Sequence, residues 1–101
     1  MSKLKLYDKR GILTDEAMEQ FEKRGSSVPC ECPEHLVALL RQAKEFTKYQ
    51  QDCLLNDPSD KIVHEWLKTS SINLEHLISS TIVTLARMEG MLDDNNEMIN
   101  P

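Results

Sequence analysis

Residues 76–86 read HLISSTIVTLA, and none of them is Asp, Glu, Lys or Arg. That is about three helical turns without a charged side chain. A helix on the surface of a monomer keeps a charged stripe toward water, so this run requires apolar cover on more than one side. The run sits inside a longer phase. Val63, Leu67, Ser70, Leu74, Leu77, Thr81, Leu85 and Met88 keep the three- and four-residue spacing of a helix seam. The stretch TSSIN at 69–73 weakens a helix, because hydroxyl side chains compete for backbone hydrogen bonds. It contains no glycine or proline, and the seam passes through it unshifted. The pattern predicts one helix from Pro58 to about Glu89, stopped by Gly90 and roughly 48 Å long.

A second helix is expected from Pro33 to Leu55, roughly 35 Å long, with its seam at Leu36, Leu39, Ala43, Phe46, Gln50 and Cys53. Leu40 and Tyr49 widen that seam. The connection NDPSD is short, so the two helices are antiparallel neighbours. Asp57 can cap the later helix and Pro58 suits its first position. Upstream, Thr14 or Asp15 opens a short helix over 14–24 with an apolar face of Ala17, Met18 and Phe21, closed by Gly25. Residues 1–13 read as an extended segment, with DKRG as a turn. Residues 92–101 read as a polar flexible tail, which leaves 1–91 as a single all-α domain.

On the long helix Leu77, Thr81 and Leu85 can face the second helix, while Ile72, His76, Ser79 and Val83 form a stripe on nearly the opposite side. The short helix could cover that stripe in a monomer. A second copy accounts better for both the length and the missing charge, giving a four-helix bundle with two-fold symmetry. The expected interface residues are Ile72, Leu74, Leu77, Ile78, Ile82, Val83 and Leu85, and a Val83→Glu change is expected to break the assembly.

Three glycines, four prolines and five aromatic residues in 101 suit helices rather than a turn-rich β-protein. A net charge of −5 repels nucleic acid, and the one basic cluster, KLKLYDKR, is short and contains Asp8. No stretch approaches the roughly 20 apolar residues that cross a bilayer, and no leader is visible. With an odd cysteine count of three, the expected setting is cytoplasmic with reduced thiols.

The remaining chemistry lies in VPCECPEHL, residues 28–36. Zinc takes four Cys or His ligands, commonly paired at a spacing of two to four. Cys30 and Cys32 are one residue apart, His35 adds a third group, and reflection about the 56–60 turn brings His76 near His35. A metal site of Cys30, Cys32, His35 and His76 is therefore one reading. A redox-sensing thiol pair is another, since Cys32 precedes a helix N-terminus. The plainer reading is a loop whose prolines fix the start of a helix, with the cysteines as small hydrophobes and no cofactor. His64 and Glu65 lack the second histidine of a zinc-protease helix, and there is no phosphate loop or serine elbow. The chain is therefore expected not to be an enzyme.

The motifs CECPEHL, Phe46-x-x-Tyr49, NDPSD and the closing Glu89-Gly90 resemble a small bacterial helical-hairpin segment, over roughly two thirds of the chain. The resemblance carries no activity. It implies only that Cys30, Cys32, Pro33 and His35 belong together. The functional expectation is a self-associating helical interaction or regulatory module: a homodimer, open to a further protein partner. A metal-binding or thiol sensor stands as the alternative.

Overall fold

A computed structural model describes residues 5–25, 31–56 and 58–97. It is built from helices α1 (Asp15–Gly25), α2 (Cys32–Asn56) and α3 (Lys61–Met88), with a single 3₁₀ turn, Pro58–Asp60, leading into α3. Among the described residues there is no strand, only an isolated antiparallel bridge between Tyr7 and Leu13.

The N-terminal segment is a tight loop organised by Asp8. Its carboxylate accepts the amides of Arg10 at 2.8 Å and Ile12 at 3.1 Å. Gly11 sits at φ +78°, where a side chain would be strained. The loop buries Leu6, Ile12 and Leu13. Thr14 then caps α1, its hydroxyl accepting the Ala17 amide at 3.1 Å. Ala17, Met18 and Phe21 face inward against Val37 and Leu40 of α2.

Helix α2 begins one residue earlier than Pro33, with the Glu31 carbonyl accepting the His35 amide at 3.1 Å. Proline tolerates this position because amides of the first turn have no partner in the helix. Helix α3 runs unbroken through Thr69–Asn73. The hydroxyl of Ser71 does not compete with its own helix. It donates to the Ala43 carbonyl of α2 at 3.0 Å, so the serine becomes an interhelix tie. The helix closes with Gly90 at φ +75°, Gly90 N donating to Arg87 O at 3.1 Å and Met91 N to Ala86 O at 2.7 Å. This left-handed closure turns the chain back and buries Met91 and Leu92.

The segment after Gly90 therefore differs from the expected polar tail. Leu92 is core, and Asp93 organises a turn by accepting the amides of Asn95 at 2.8 Å and Glu97 at 2.9 Å. The remaining tail residues, 98–101, lie outside the described residues.

α2 and α3 pack as an antiparallel hairpin, and α1 lies on α2. One core joins the N-terminal loop and α1 to Val37 and Leu40 and to Ile78, Ile82, Val83, Ala86, Met91 and Leu92. It occupies the end of the hairpin away from the 56–60 turn. The molecule is long and thin, 52 × 28 × 17 Å, with a radius of gyration of 15.4 Å. A compact chain of this length is expected at about 13 Å.

Candidate functional site

The hairpin is polar where its helices meet. Thr47, Gln50, Ser71, Glu75 and Ser79 are all buried. The Thr47 hydroxyl donates to Glu75 Oε2 at 2.7 Å and lies 2.5 Å from Ser71 Oγ. Each hydroxyl has one hydrogen. With Thr47's directed at Glu75, that of Ser71 serves the Ala43 carbonyl or the Thr47 oxygen. Gln50 Oε1 meets His64 Nδ1 at 2.8 Å, and the Leu13 amide donates to Ser79 Oγ at 3.1 Å. Glu75 is fully buried and its Oε1 has no hydrogen-bond partner; Arg10 Nη2 lies 3.8 Å from it. A buried carboxylate needs such partners, because losing its hydration without compensation is costly. The N-terminal loop supplies one of them, and Lys44 Nζ ties that loop to α2 by donating to Leu13 O at 2.6 Å.

The apolar side chains missing from this seam are on the opposite, open face of the hairpin. Leu39, Gln42, Ala43, Phe46, Leu67, Ser70, Ser71, Leu74 and Ile78 line a groove of about 460 Å³ between α2 and α3. The lining is almost wholly apolar. Seven-residue steps continue it along both helices. On α2, Leu39 leads to Phe46 and Cys53, and Gln42 to Tyr49. On α3, Val63 leads to Ser70 and Leu77, and Leu67 to Leu74, Thr81 and Met88. None of these residues is Asp, Glu, Lys or Arg. Phe46 is 45% exposed, Leu74 47%, Leu77 64% and Trp66, on the rim, 66%. Tyr49 borders Cys53, and its phenol is pushed above its ordinary pKa by a hydrogen bond and a charge interaction with that sulfur, with loss of hydration adding to both.

This arrangement inverts part of the expected packing. Leu39, Phe46, Leu74 and Leu77 were expected in the seam between α2 and α3 and instead lie open. The real seam lies one residue over on each helix, at Leu40, Thr47, Ile78 and Ile82. Hydropathy favours the apolar row, but hydrogen bonding makes the polar row the buried one.

The seven expected interface residues divide accordingly. Ile78, Ile82 and Val83 are buried in the chain's own core, in one cluster with Ile12, Leu13, Met18 and Phe21. Ile82 and Val83 offer no open surface, Ile78 reaches only the edge of the groove, and Val83→Glu would place a charge in that core rather than probe an assembly. Leu74 and Leu77 are exposed, while Ile72 and Leu85 are half-buried. The N-terminal loop and α1 cover the stripe that runs through Ser79 and Val83. The pattern of α3 alone could not assign that cover, because it depends on where residues 6–13 lie.

Of the expected metal ligands, Cys30 lies outside the described residues. Cys32, His35 and His76 are exposed, and His35 Nε2 is 3.4 Å from Glu31 Oε2. Among the described residues no three His, Cys, Asp or Glu side chains are grouped to hold a metal ion, so Cys32, His35 and His76 do not converge. His76 instead packs against the loop, its Cε1 3.5 Å from where a Gly11 side chain would begin. Cys53 is half-buried at the far end of the open face.

Among the described residues no helix is long and apolar enough to cross a membrane. Comparison with protein-family models, curated proteins and solved structures finds no match to this chain.

Proposed function

We propose that this chain is a non-enzymatic helical interaction module that self-associates through the open face of the α2–α3 hairpin and acts as a regulatory or scaffolding unit in the cytoplasm. The observation that carries the reading is the charge-free apolar groove, built on two helices whose buried seam takes in Thr47, Ser71 and Glu75 while Phe46 and Leu74 stay open. Ordinary monomers scatter single exposed apolar residues, whereas a continuous apolar patch marks a binding surface. Phe46, Tyr49 and Trp66 are 45%, 62% and 66% exposed. At the 150–250 Å² typical of a buried aromatic, they leave about 350 Å² to cover. Leu39, Val63, Leu74, Leu77 and Met88, each between 47% and 79% exposed, bring the face to the scale of a standard interface, about 800 Å² per partner.

Seven-residue spacing on both helices is the pattern of coiled-coil packing, in which apolar knobs enter holes on a facing helix. The expected result is a bundle of four helices. α1 lies against the other side of the hairpin, packed on Val37 and Leu40, and does not obstruct the face. Size exclusion with light scattering tests the proposal. The expected mass is twice the 11.6 kDa of one chain at micromolar concentration. Leu74→Glu should return it to a single chain while the helical circular dichroism is retained. A wild-type mass of one chain would end the reading.

A further inference from the structure

Resting on that reading, we infer that Arg10 of the N-terminal loop governs the open face: it is a positioning residue that acts through Glu75, Thr47 and Ser71 on the floor of the groove. The loop is shaped to deliver it. Asp8 accepts the amides of Arg10 and Ile12, and Gly11 turns the chain at φ +78°. A Cβ at Gly11 would meet His76 Cε1 at 3.5 Å, so the loop lies against α3. This places Arg10 Nη2 between two carboxylates, 3.6 Å from Asp8 Oδ2 and 3.8 Å from Glu75 Oε1. Lys44 and Ser79 clamp the next part of the loop through the carbonyl and amide of Leu13, at 2.6 Å and 3.1 Å.

Beyond Glu75 the hydrogen bonds have two arrangements. In the first, Thr47 donates to Glu75 Oε2 at 2.7 Å and Ser71 to the Ala43 carbonyl at 3.0 Å. In the second, Thr47 donates to that same carbonyl, 3.1 Å from its Oγ, and Ser71 donates to Thr47 Oγ. Each hydroxyl has one hydrogen, so the two exclude each other. Glu75 Oε1 is buried without a hydrogen-bond partner, and Arg10 supplies its countercharge. A carboxylate held there accepts from Thr47 and selects the first arrangement. Without the guanidinium the buried charge lacks compensation and is drawn toward water, which frees the Thr47 hydrogen for the second.

The choice is felt at the open face because Ala43 and Ser71 line the groove together with Phe46 and Leu74. An element with two discrete arrangements, biased from a second place, is what coupling between distant parts of a protein requires. The described lining of the groove comes from α2 and α3, so the loop reaches the face only through these residues. A floor already fixed in one arrangement loses less freedom on association, and Arg10 thereby favours the assembly.

Arg10→Met tests the inference, with Lys9→Met as the control that changes net charge equally at an exposed neighbour. In sedimentation equilibrium Arg10→Met should raise the dissociation constant about fivefold or more over the control. Lys9→Met should stay within about twofold of the unaltered chain. Adding Glu75→Gln to Arg10→Met should bring the constant back toward the control, because the isosteric amide still accepts from Thr47 and needs no countercharge. A role confined to loop stability would lower the urea midpoint of Arg10→Met and leave its constant at the control value, and that result overturns the inference. Amide hydrogen exchange in the single chain separates this inference from the self-association it rests on. Arg10→Met should speed exchange at 43–47 and 70–75 more than Lys9→Met does, and Glu75→Gln should reverse the change. That pattern in a protein with the mass of one chain would overturn self-association and leave the coupling to the groove floor standing. Faster exchange confined to 6–14 would overturn the coupling whatever the mass.

Discussion

Truncating Leu77 to Ala should weaken assembly while leaving the monomer nearly as stable as before. Leu77 is 64% exposed in the single chain. Full burial of a leucine is worth about 1.5–3 kcal/mol, so covering the exposed part yields about 1–2 kcal/mol. Alanine retains some of that, which leaves a loss of about 1 kcal/mol per copy. A two-fold interface contains the residue twice, giving about 2 kcal/mol in all, or about a 30-fold rise in dissociation constant. Sedimentation equilibrium measures the constant directly. Urea unfolding at a concentration well below it measures the monomer, where the change should stay within about 0.5 kcal/mol. Ile82→Ala is the internal control. Ile82 is 2% exposed in the single chain, and its truncation should cost the monomer about 2–5 kcal/mol. The reasoning is refuted if Leu77→Ala leaves the constant unchanged, or if it destabilises the monomer as much as Ile82→Ala does.

Two further outcomes follow from the polar parts of the fold. Thr47→Val keeps the shape but removes the hydroxyl that donates to Glu75 Oε2, and should cost about 1–3 kcal/mol in urea unfolding; a neutral result would mean that the buried carboxylate does not depend on that donor. Asp8 responds to pH: partial burial by itself would raise its carboxyl, but the amides of Ile12 and Arg10 and the charges of Arg10 and Lys44 hold it below its ordinary value of 3.8. Its contribution is thus present above that ordinary value and is lost as pH falls through the lowered one, so thermal melts should show stability declining in acid and Asp8→Asn should show a shallower decline; equal slopes would remove Asp8 from the account.

Much of the fold is legible in the sequence because its signals are local. Thr14 and Gly90 mark helix ends through hydrogen bonds and a left-handed turn confined to a few residues. The absence of glycine and proline from 69–73, with an unshifted apolar phase, identifies α3 as one piece. The lack of charge from His76 to Ala86 signals cover on two sides, and the chain supplies both, α2 on one and the N-terminal loop with α1 on the other, while Leu77 lies open. For the CECPEH segment the residue types suit a metal, but ligation depends on convergence in space: Cys30 lies outside the described residues, and the described Cys32, His35 and His76 form no group of three.

The helices, their ends, the hairpin and the scarcity of charge along α3 are set locally, because propensity, capping and periodicity act within a turn or two of helix. Which face of the hairpin lies inside is settled by contacts that form on folding. Thr47 meets Ser71 and donates to Glu75 Oε2 across 24 to 28 residues of chain, and Arg10 reaches Glu75 from the N-terminal loop. A hydropathy pattern ranks each residue by its own transfer to an apolar medium, whereas burial of these polar groups depends on partners that are neighbours only after folding. That exchange puts Thr47, Ser71 and Glu75 inside and leaves Leu39, Phe46, Leu74 and Leu77 exposed.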